Sequence, residues 1–204
     1  MKLPGIPVGP HGVAGAGHPG GPETRVDVFL DYMCPYCQKF ERENGRTLQH
    51  LVDGGRARWI IHPVAFLDDA SNGTRYSSRS AAAAYAVSQL AGTRFGQFHN
   101  ALFAGQPHEG TDGPSDARIA AVAVEVGVPD AQAAQLTDPR YVTVAEASTA
   151  SAVEFGVDGT PTVLVSRPGV SKVYSWDGST SIVQLVDALA QAAPAATRMG
   201  AGAR

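Results

Sequence analysis

The chain has 204 residues, of which 44% are hydrophobic and 17% charged, and a formal net charge of −3. This length and composition can build one domain, or one domain that carries an inserted lobe. The small negative charge argues against nucleic acid or an anionic membrane as a partner, and no apolar run approaches the roughly 20 residues of a membrane span.

The first residues, from Met1 to Val8, include a lysine but no apolar segment of the kind found in signal peptides. The sequence as given therefore predicts a cytoplasmic protein, or an exported one if Met1 is not the native start. Residues 1–22 hold five prolines and seven glycines, a composition that predicts a flexible arm or a loose wrap on the surface. His11 and His18 lie in this segment and are expected to be solvated loop histidines.

A strand and a helix are predicted on either side of the only two cysteines in the chain. Residues 25–31 alternate and are rich in β-branched and aromatic side chains, which is typical of a β-strand. Residues 38–51 are predicted to form a helix with Phe40, Leu48 and Leu51 on or near one face. The cysteines therefore lie between the end of a predicted strand and the start of a predicted helix.

The pair Cys34 and Cys37 is predicted to be a dithiol redox site. Pro35 suits a first helical turn, so Cys34 would lie at the positive end of the helix dipole, which favours thiolate over thiol. Cys37 is one turn further along and can close a disulfide with it. A purely structural disulfide is disfavoured because so short a loop constrains the unfolded chain little. A zinc site needs two further ligands, and the six histidines show no paired spacing.

A second strand is predicted over residues 57–62, after Asp53-Gly54-Gly55 ends the helix. Strand, helix and strand in this order predict a βαβ unit with a parallel strand pair. His62, at the end of the second strand, is more typical of a structural histidine than of a proton shuttle.

From residue 77 to residue 155 the pattern becomes helical and predicts an inserted lobe of four or five helices. These are residues 77–90, an aromatic helix around 95–103, a helix capped by Ser115, a short piece at 131–136, and a longer helix over 141–155. Strands then return at residues 162–166 and 172–176, joined by a Pro-Gly turn, and a last amphipathic helix carries Ile182, Leu185, Val186 and Leu189.

The returning strands open with Gly159-Thr160-Pro161-Thr162, where a proline at the start of a strand indicates an unusual turn such as one with a cis bond. Together with the upstream strand–CxxC–helix, this arrangement resembles the thioredoxin fold, and in particular its DsbA-like branch. The matching segments are Phe29-Leu-Asp-Tyr-Met-Cys-Pro-Tyr-Cys37, Ser78-Arg79 and Val157-Asp-Gly-Thr-Pro-Thr-Val163.

The resemblance implies an α/β thioredoxin fold with an inserted all-helical lobe. The predicted segments are a Gly/Pro-rich arm at 1–22, a thioredoxin-like domain at 23–76 and 156–193, the lobe at 77–155, and a disordered tail at 194–204. Family membership also implies that Pro161 is cis and packs against the cysteine pair, and that the backbone of Thr160 pairs with an extended substrate.

Two positions depart from the family pattern. Tyr36 stands where many DsbA proteins carry a histidine that helps to hold the nucleophile as a thiolate. Val28 stands where several thioredoxin-fold enzymes carry a buried acid. The acid nearest to Cys34 in the sequence is Asp31, which is expected to cap a loop.

The sequence therefore predicts a thiol–disulfide oxidoreductase with Cys34 and Cys37 as catalytic residues, with no cofactor and no metal. Pro35, Tyr36, Thr160 and Pro161 are the predicted substrate-binding residues. Tyr32, Met33, Tyr36 and Phe66 suit either an apolar rim around the site or the core. The expected partners are proteins with thiols or disulfides, a low-molecular-weight thiol, or a redox partner protein. The direction of exchange stays open, and the alternative is a non-catalytic binding module that uses the helical lobe.

Overall fold

The computed structural model describes residues 4–14 and 24–192, and within them it has a mixed six-stranded β-sheet and eight α-helices. The strands are β1 (Ile6–Gly9), β2 (Gly12–Val13), β3 (Arg25–Leu30), β4 (Arg58–Pro63), β5 (Thr162–Arg167) and β6 (Val170–Ser175). The helices are α1 (Pro35–Phe40), α2 (Arg46–Asp53), α3 (Tyr76–Leu90), α4 (Phe95–Ala104), α5 (Asp116–Glu125), α6 (Asp130–Ala133), α7 (Pro139–Glu154) and α8 (Ile182–Ala192).

Strand β3, which leads to the cysteines, lies inside the sheet. The strand order is β2-β1-β4-β3-β5-β6, with β3 parallel to β4 and antiparallel to β5. The parallel pair confirms the predicted βαβ unit. Every residue from Val26 to Leu30 is buried, so the loop that carries the cysteines starts from a fixed point.

The helix after the cysteines runs from Pro35 to Asp53 and contains one wide turn. Its hydrogen bonds are of the π type over Glu41–Gly45, between α1 and α2. A straight α-helix would rotate Leu48 away from Phe40, because eight residues exceed two turns of about 3.6 residues each. The π turn takes up the extra residue, and both side chains are fully buried. The predicted helix is confirmed, although the wide turn has no counterpart in the prediction.

The inserted segment, for which four or five helices are predicted, contains the five helices α3 to α7. Helix α3 packs against α7, and all its residues from Tyr76 to Val87 except Arg79 are buried. Ser115 caps α5, since its side chain accepts a hydrogen bond from the N–H of Arg118. The buried side chains of the lobe and of the sheet form one continuous cluster.

The prediction of a flexible arm over residues 1–22 is wrong for residues 4–14, which form a β-hairpin. Strand β1 pairs antiparallel with both β4 and β2, and Ile6 is 2% exposed. Pro7 fits this strand because its carbonyl accepts from the N–H of Ala14 at 2.8 Å. The N–H that proline lacks would point to that same side, past the end of the short strand β2, so the pairing with β4 is kept. Residues 1–3 and 15–23, which include His18, lie outside the described residues.

His62 ties this hairpin to the sheet and is a satisfied structural histidine, as predicted. Its ring is fully buried and stacks on Phe29 with the ring centroids 4.6 Å apart. Nε2 lies 2.6 Å from Oδ1 of Asp27, and Nδ1 lies 2.6 Å from the carbonyl oxygen of Pro4. Arg25 also pairs with Asp27, so a small group of polar side chains connects strands β3 and β4 with the segment before β1.

The C-terminal part matches the prediction, with the hairpin β5–β6 followed by the amphipathic helix α8. The predicted disordered tail at 194–204 lies outside the described residues. Over 4–14 and 24–192, the structure contains no helix with the length and apolar character needed to cross a membrane.

Ile6→Ala should lower the free energy of unfolding by about 2–5 kcal/mol, as large-to-small changes in packed cores do. Urea denaturation measures this. His11→Ala, at an exposed position in the turn of the same hairpin, is the matched control and should change the value by less than about 0.5 kcal/mol. Equally small effects in both variants would show that the hairpin is not part of the folded core.

Candidate active site

Cys34 lies where strand β3 has ended and helix α1 begins. It is the N-cap residue, with an extended backbone (φ −75°, ψ 117°), and Pro35 follows as the first helical residue. Its carbonyl accepts hydrogen bonds from the N–H groups of Cys37 at 3.0 Å and Gln38 at 3.2 Å. The N–H groups of Tyr36 and Cys37, in the first helical turn, also interact with the Cys34 sulfur.

The two cysteines are free thiols in different surroundings. Cys34 is 5% exposed, whereas Cys37 is completely buried. Sγ of Cys34 donates to the carbonyl oxygen of Thr160 at 3.4 Å, which joins the cysteine motif to the loop before β5. Sγ of Cys37 accepts from the backbone N–H of Asp31, also at 3.4 Å.

These surroundings move the two thiol pKa values in opposite directions. The pKa of Cys34 is lowered to about 6, mainly because the Cys37 thiol hydrogen-bonds to its sulfur. A side-chain hydrogen bond with Thr160 and the N–H groups of the first turn add to this effect, and together they outweigh the cost of partial burial. Burial raises the pKa of the Cys37 thiol well above its ordinary value. At neutral pH Cys34 is therefore the thiolate and Cys37 the protonated thiol.

The loop before β5 brings two further predicted residues to the cysteines. The Thr160–Pro161 peptide bond is cis, as the family resemblance implied. Pro161 is buried, and its carbonyl accepts from the N–H of Trp176 at 3.1 Å. Thr160 is half-buried, beside Cys34.

Of the four residues predicted for an apolar rim around the site, some lie at the surface and others in the core. Tyr36 is 61% exposed next to the cysteines, whereas Tyr32 and Met33 are completely buried and belong to the core. Phe66 is half-buried and lines a surface depression of about 420 Å³ with Val153 and Val157, among others. Val153 is 59% exposed, although it lies within the helix predicted over residues 141–155, whose pattern does not mark it as a surface residue.

Asp31 caps a loop, as predicted, but it does so from inside the core. Its carboxylate accepts hydrogen bonds from the N–H of Met33 at 2.8 Å, the N–H of Leu67 at 2.9 Å and the hydroxyl of Ser77 at 2.6 Å. Burial raises the pKa of this carboxyl to about 6, against the lowering effect of the three donors. Val28, at the family position for a buried acid, is fully buried. Asp31 is the acid that lies nearest to Cys34 in the sequence, and its backbone N–H contacts the Cys37 sulfur.

No cluster of three or more His, Cys, Asp or Glu side chains suited to a metal ion occurs in the part of the chain that the structure describes. The site therefore consists of the two thiols, the Thr160–Pro161 loop and the polar groups that hold the motif in place.

A family model described as Thioredoxin matches residues 14–184. The chain belongs to the thioredoxin family. Two solved structures from Mycobacterium tuberculosis indicate which branch of this family the chain is similar to. Reduced DsbA is 34% identical with a TM-score of 0.69, and the match covers 85% of this chain and 85% of that one. A reduced disulfide bond oxidoreductase, DsbG, is 36% identical with a TM-score of 0.69, over 85% and 81% of the two chains. The fold and the cysteine pair are those of a DsbA-like thiol–disulfide oxidoreductase.

The curated relatives that match include the serine/threonine-protein kinase PknE of Mycobacterium tuberculosis, which is 29% identical over 164 residues. The match covers 76% of this chain but 27% of the kinase. The DsbA-like chain thus spans about a quarter of the length of these curated relatives.

In the reduced protein, iodoacetamide should alkylate Cys34 much faster than Cys37. The rate should follow a titration curve with its midpoint near the Cys34 pKa of about 6, because the thiolate is the reacting species. Mass spectrometry of quenched samples measures both sites. Cys37→Ala removes the largest cause of the lowered pKa, so the midpoint should move upward. Equal rates at both cysteines in the wild type would contradict the assignment.

Asp31 should make the protein less stable as the pH rises from about 4 to about 6. The folded-state pKa is raised from 3.8 to about 6, so within this window the folded state binds the proton more tightly than the unfolded state does. The stability contributed by the protonated carboxyl is full below the unfolded pKa and is lost by the folded pKa. At about 1.4 kcal/mol per pKa unit the loss is about 3 kcal/mol.

Asp31→Asn lacks this titration, so the comparison isolates the carboxyl. The difference in free energy of unfolding between wild type and variant, measured by urea denaturation across this pH range, should change with pH mainly between the two pKa values. A constant difference would show that the carboxyl titrates alike in the folded and unfolded states.

Proposed function

We propose that this protein exchanges disulfides with polypeptide substrates, with Cys34 as the nucleophile and Cys37 as the resolving thiol. The observation that carries the proposal is that two thiols one helical turn apart have opposite protonation states. Cys34 has a pKa of about 6 and is the more exposed, whereas Cys37 is buried and protonated. An attacking thiol is most effective when its pKa lies near the ambient pH.

In the reducing direction, the Cys34 thiolate attacks one sulfur of a client disulfide. The client S–S bond breaks, a mixed disulfide forms, and the leaving client thiolate takes up a proton. Cys37 then loses its proton and attacks the Cys34 sulfur, which closes the Cys34–Cys37 disulfide and releases the second client thiol. Two electrons have moved from the protein to the client, and the reverse sequence donates a disulfide.

The predicted substrate-binding residues surround Cys34. The loop at Thr160 and Pro161 offers backbone groups that can pair with an extended client chain. Pro35 and Tyr36, which follow Cys34 directly in the chain, are exposed. This arrangement supports a client strand that lies across the sulfur between the two segments.

The depression lined by Phe66, Val153 and Val157 supports a polypeptide as the client. The depression is close to the Thr160 loop in the sequence, since Val157 precedes Thr160 by three residues. It also offers apolar surface. An unfolded or partly folded chain exposes apolar side chains that can fill such a surface. A low-molecular-weight thiol is the second candidate, because the Pro-Tyr pair between the cysteines resembles that of glutaredoxins.

The compartment sets the direction of exchange. In a reducing compartment such as the cytoplasm, thiols are kept reduced and the protein would act as a reductase. In an oxidising compartment the same chemistry would donate disulfides to clients.

Turnover decides between an oxidoreductase and a non-catalytic binding module. The wild type should catalyse the reduction of insulin by dithiothreitol, and Cys34→Ser should abolish this activity because the nucleophile is lost. Cys37→Ser should accumulate mixed disulfides with clients from native lysate, since the resolving step is blocked. Wild-type activity no higher than that of Cys34→Ser would support the binding module instead.

Tyr36→His should raise both the redox potential and the acidity of Cys34. Tyr36 carries no positive charge, and a more stable thiolate means a more stable reduced form and a stronger oxidant. The wild type should therefore be less oxidising than DsbA, at about −120 mV, and nearer the glutaredoxins at about −200 to −230 mV. Equilibration with a glutathione series measures both variants. A wild-type potential as high as that of DsbA, or no upward shift in Tyr36→His, would mean that other groups set thiolate stability.

A further inference from the structure

We infer that Gln106, in the helical lobe, is a positioning residue for the dithiol; the inference rests on the oxidoreductase function proposed above. Its side-chain amide Nε2 donates to the carbonyl oxygens of both Tyr32 and Cys34, at 3.0 Å each. A side-chain amide carries two N–H donors, so both are used on the segment that leads into helix α1. No local sequence pattern marks this residue, which is 72 positions after Cys34.

The two carbonyls that Gln106 binds define the start of the active-site helix. The Cys34 carbonyl also accepts the first helical hydrogen bonds, from the N–H groups of Cys37 and Gln38. The Tyr32 carbonyl lies two residues earlier. An amide that holds both carbonyls fixes the backbone from Tyr32 to Cys34 relative to the first turn of α1.

The lobe side of this contact is also held in place. Gln38, on helix α1, donates through Nε2 to the carbonyl oxygen of Phe103 at 2.7 Å, near the end of helix α4. The Phe103 ring packs on Tyr32 with the centroids 5.0 Å apart. The active-site segment and the lobe are thus joined by two amide side chains. Gln38 donates from helix α1 to a carbonyl of the lobe, and Gln106 donates from the lobe to two carbonyls before helix α1.

The consequence for the chemistry is electrostatic. The Cys34 sulfur is stabilised as a thiolate partly by the N–H groups of Tyr36 and Cys37, and such stabilisation falls off steeply with distance and angle. Gln106 keeps the N-cap in the geometry that allows it. The amide also places the positive end of its dipole against the Cys34 peptide. Gln106 therefore favours the thiolate and, with it, the reduced protein.

Gln106→Ala and Gln106→Glu test this role against Gln97→Ala, a matched control at an exposed position on helix α4. Thiolate absorbance against pH gives the Cys34 midpoint, and equilibration with glutathione gives the redox equilibrium constant. Gln106→Ala removes both hydrogen bonds. It should raise the midpoint and shift the equilibrium toward the oxidised protein by roughly three- to tenfold, the effect of one hydrogen bond, because only the bond to the Cys34 carbonyl acts on the N-cap itself. Gln106→Glu should have the larger effect, because a carboxylate facing two carbonyls repels them and disfavours the thiolate.

Two results would overturn the inference: Gln106 variants that match Gln97→Ala in both midpoint and equilibrium constant, or Gln106 variants that lose thermal stability while both values stay at the wild-type level. The second result would assign Gln106 a purely structural role. Insulin turnover of the wild type keeps the two proposals separate. An inactive wild type would remove the proposed function, while the Cys34 midpoint in the same samples would still decide the role of Gln106.

Discussion

The chemistry of this protein depends on keeping one sulfur atom, that of Cys34, against the first N–H groups of helix α1. The helix-end effect is confined to the first turn, so a small displacement of the N-cap would remove it. Three ties prevent that displacement. Strand β3 ends buried in the middle of the sheet, the Asp31 carboxylate holds the N–H of Met33, and Gln106 holds the carbonyls on either side of Met33. Asp31 is itself held by Leu67 and Ser77, and Gln106 comes from the lobe, so the site depends on segments that are far apart in the chain.

Burial supplies the other half of the chemistry. Cys37 is enclosed by the core, where its charged form is disfavoured, while Cys34, which is 5% exposed at the start of the same helical turn, ionises. The lobe contributes to this enclosure, since its buried residues continue the core of the sheet. The N-terminal hairpin adds β1 and β2 at one edge of the sheet, where His62 joins the carbonyl oxygen of Pro4 to Asp27 of strand β3. The lobe and the hairpin thus extend the core of the sheet that carries the cysteines.

Local patterns sufficed for most of the fold and for the reacting groups. The strand–CxxC–helix unit, the helical segment and the Gly-Thr-Pro-Thr loop each have a signal within a few residues, and each occurs where it is predicted. The hairpin at residues 4–14 escaped prediction because proline and glycine usually mark loops, and only the pairing with β4 compensates for them. The burial of Asp31 and the role of Gln106 depend on partners more than thirty residues away. Single-sequence periodicity does not contain that information.

The hydrogen bond between the Cys34 thiol and the Thr160 carbonyl links acid–base chemistry to recognition. Only a protonated sulfur can donate to that oxygen, so loss of the proton releases the carbonyl. On the proposed mode of client binding, an extended client offers its own N–H groups to the Thr160 backbone. A carbonyl oxygen has two lone pairs, so a client N–H on the Thr160 oxygen would weaken its hydrogen bond with the thiol rather than replace it. Client binding and thiol ionisation are then thermodynamically coupled: a bound client lowers the cost of forming the thiolate that attacks it. The protein would thus be more reactive toward a chain already docked than toward small oxidants in solution.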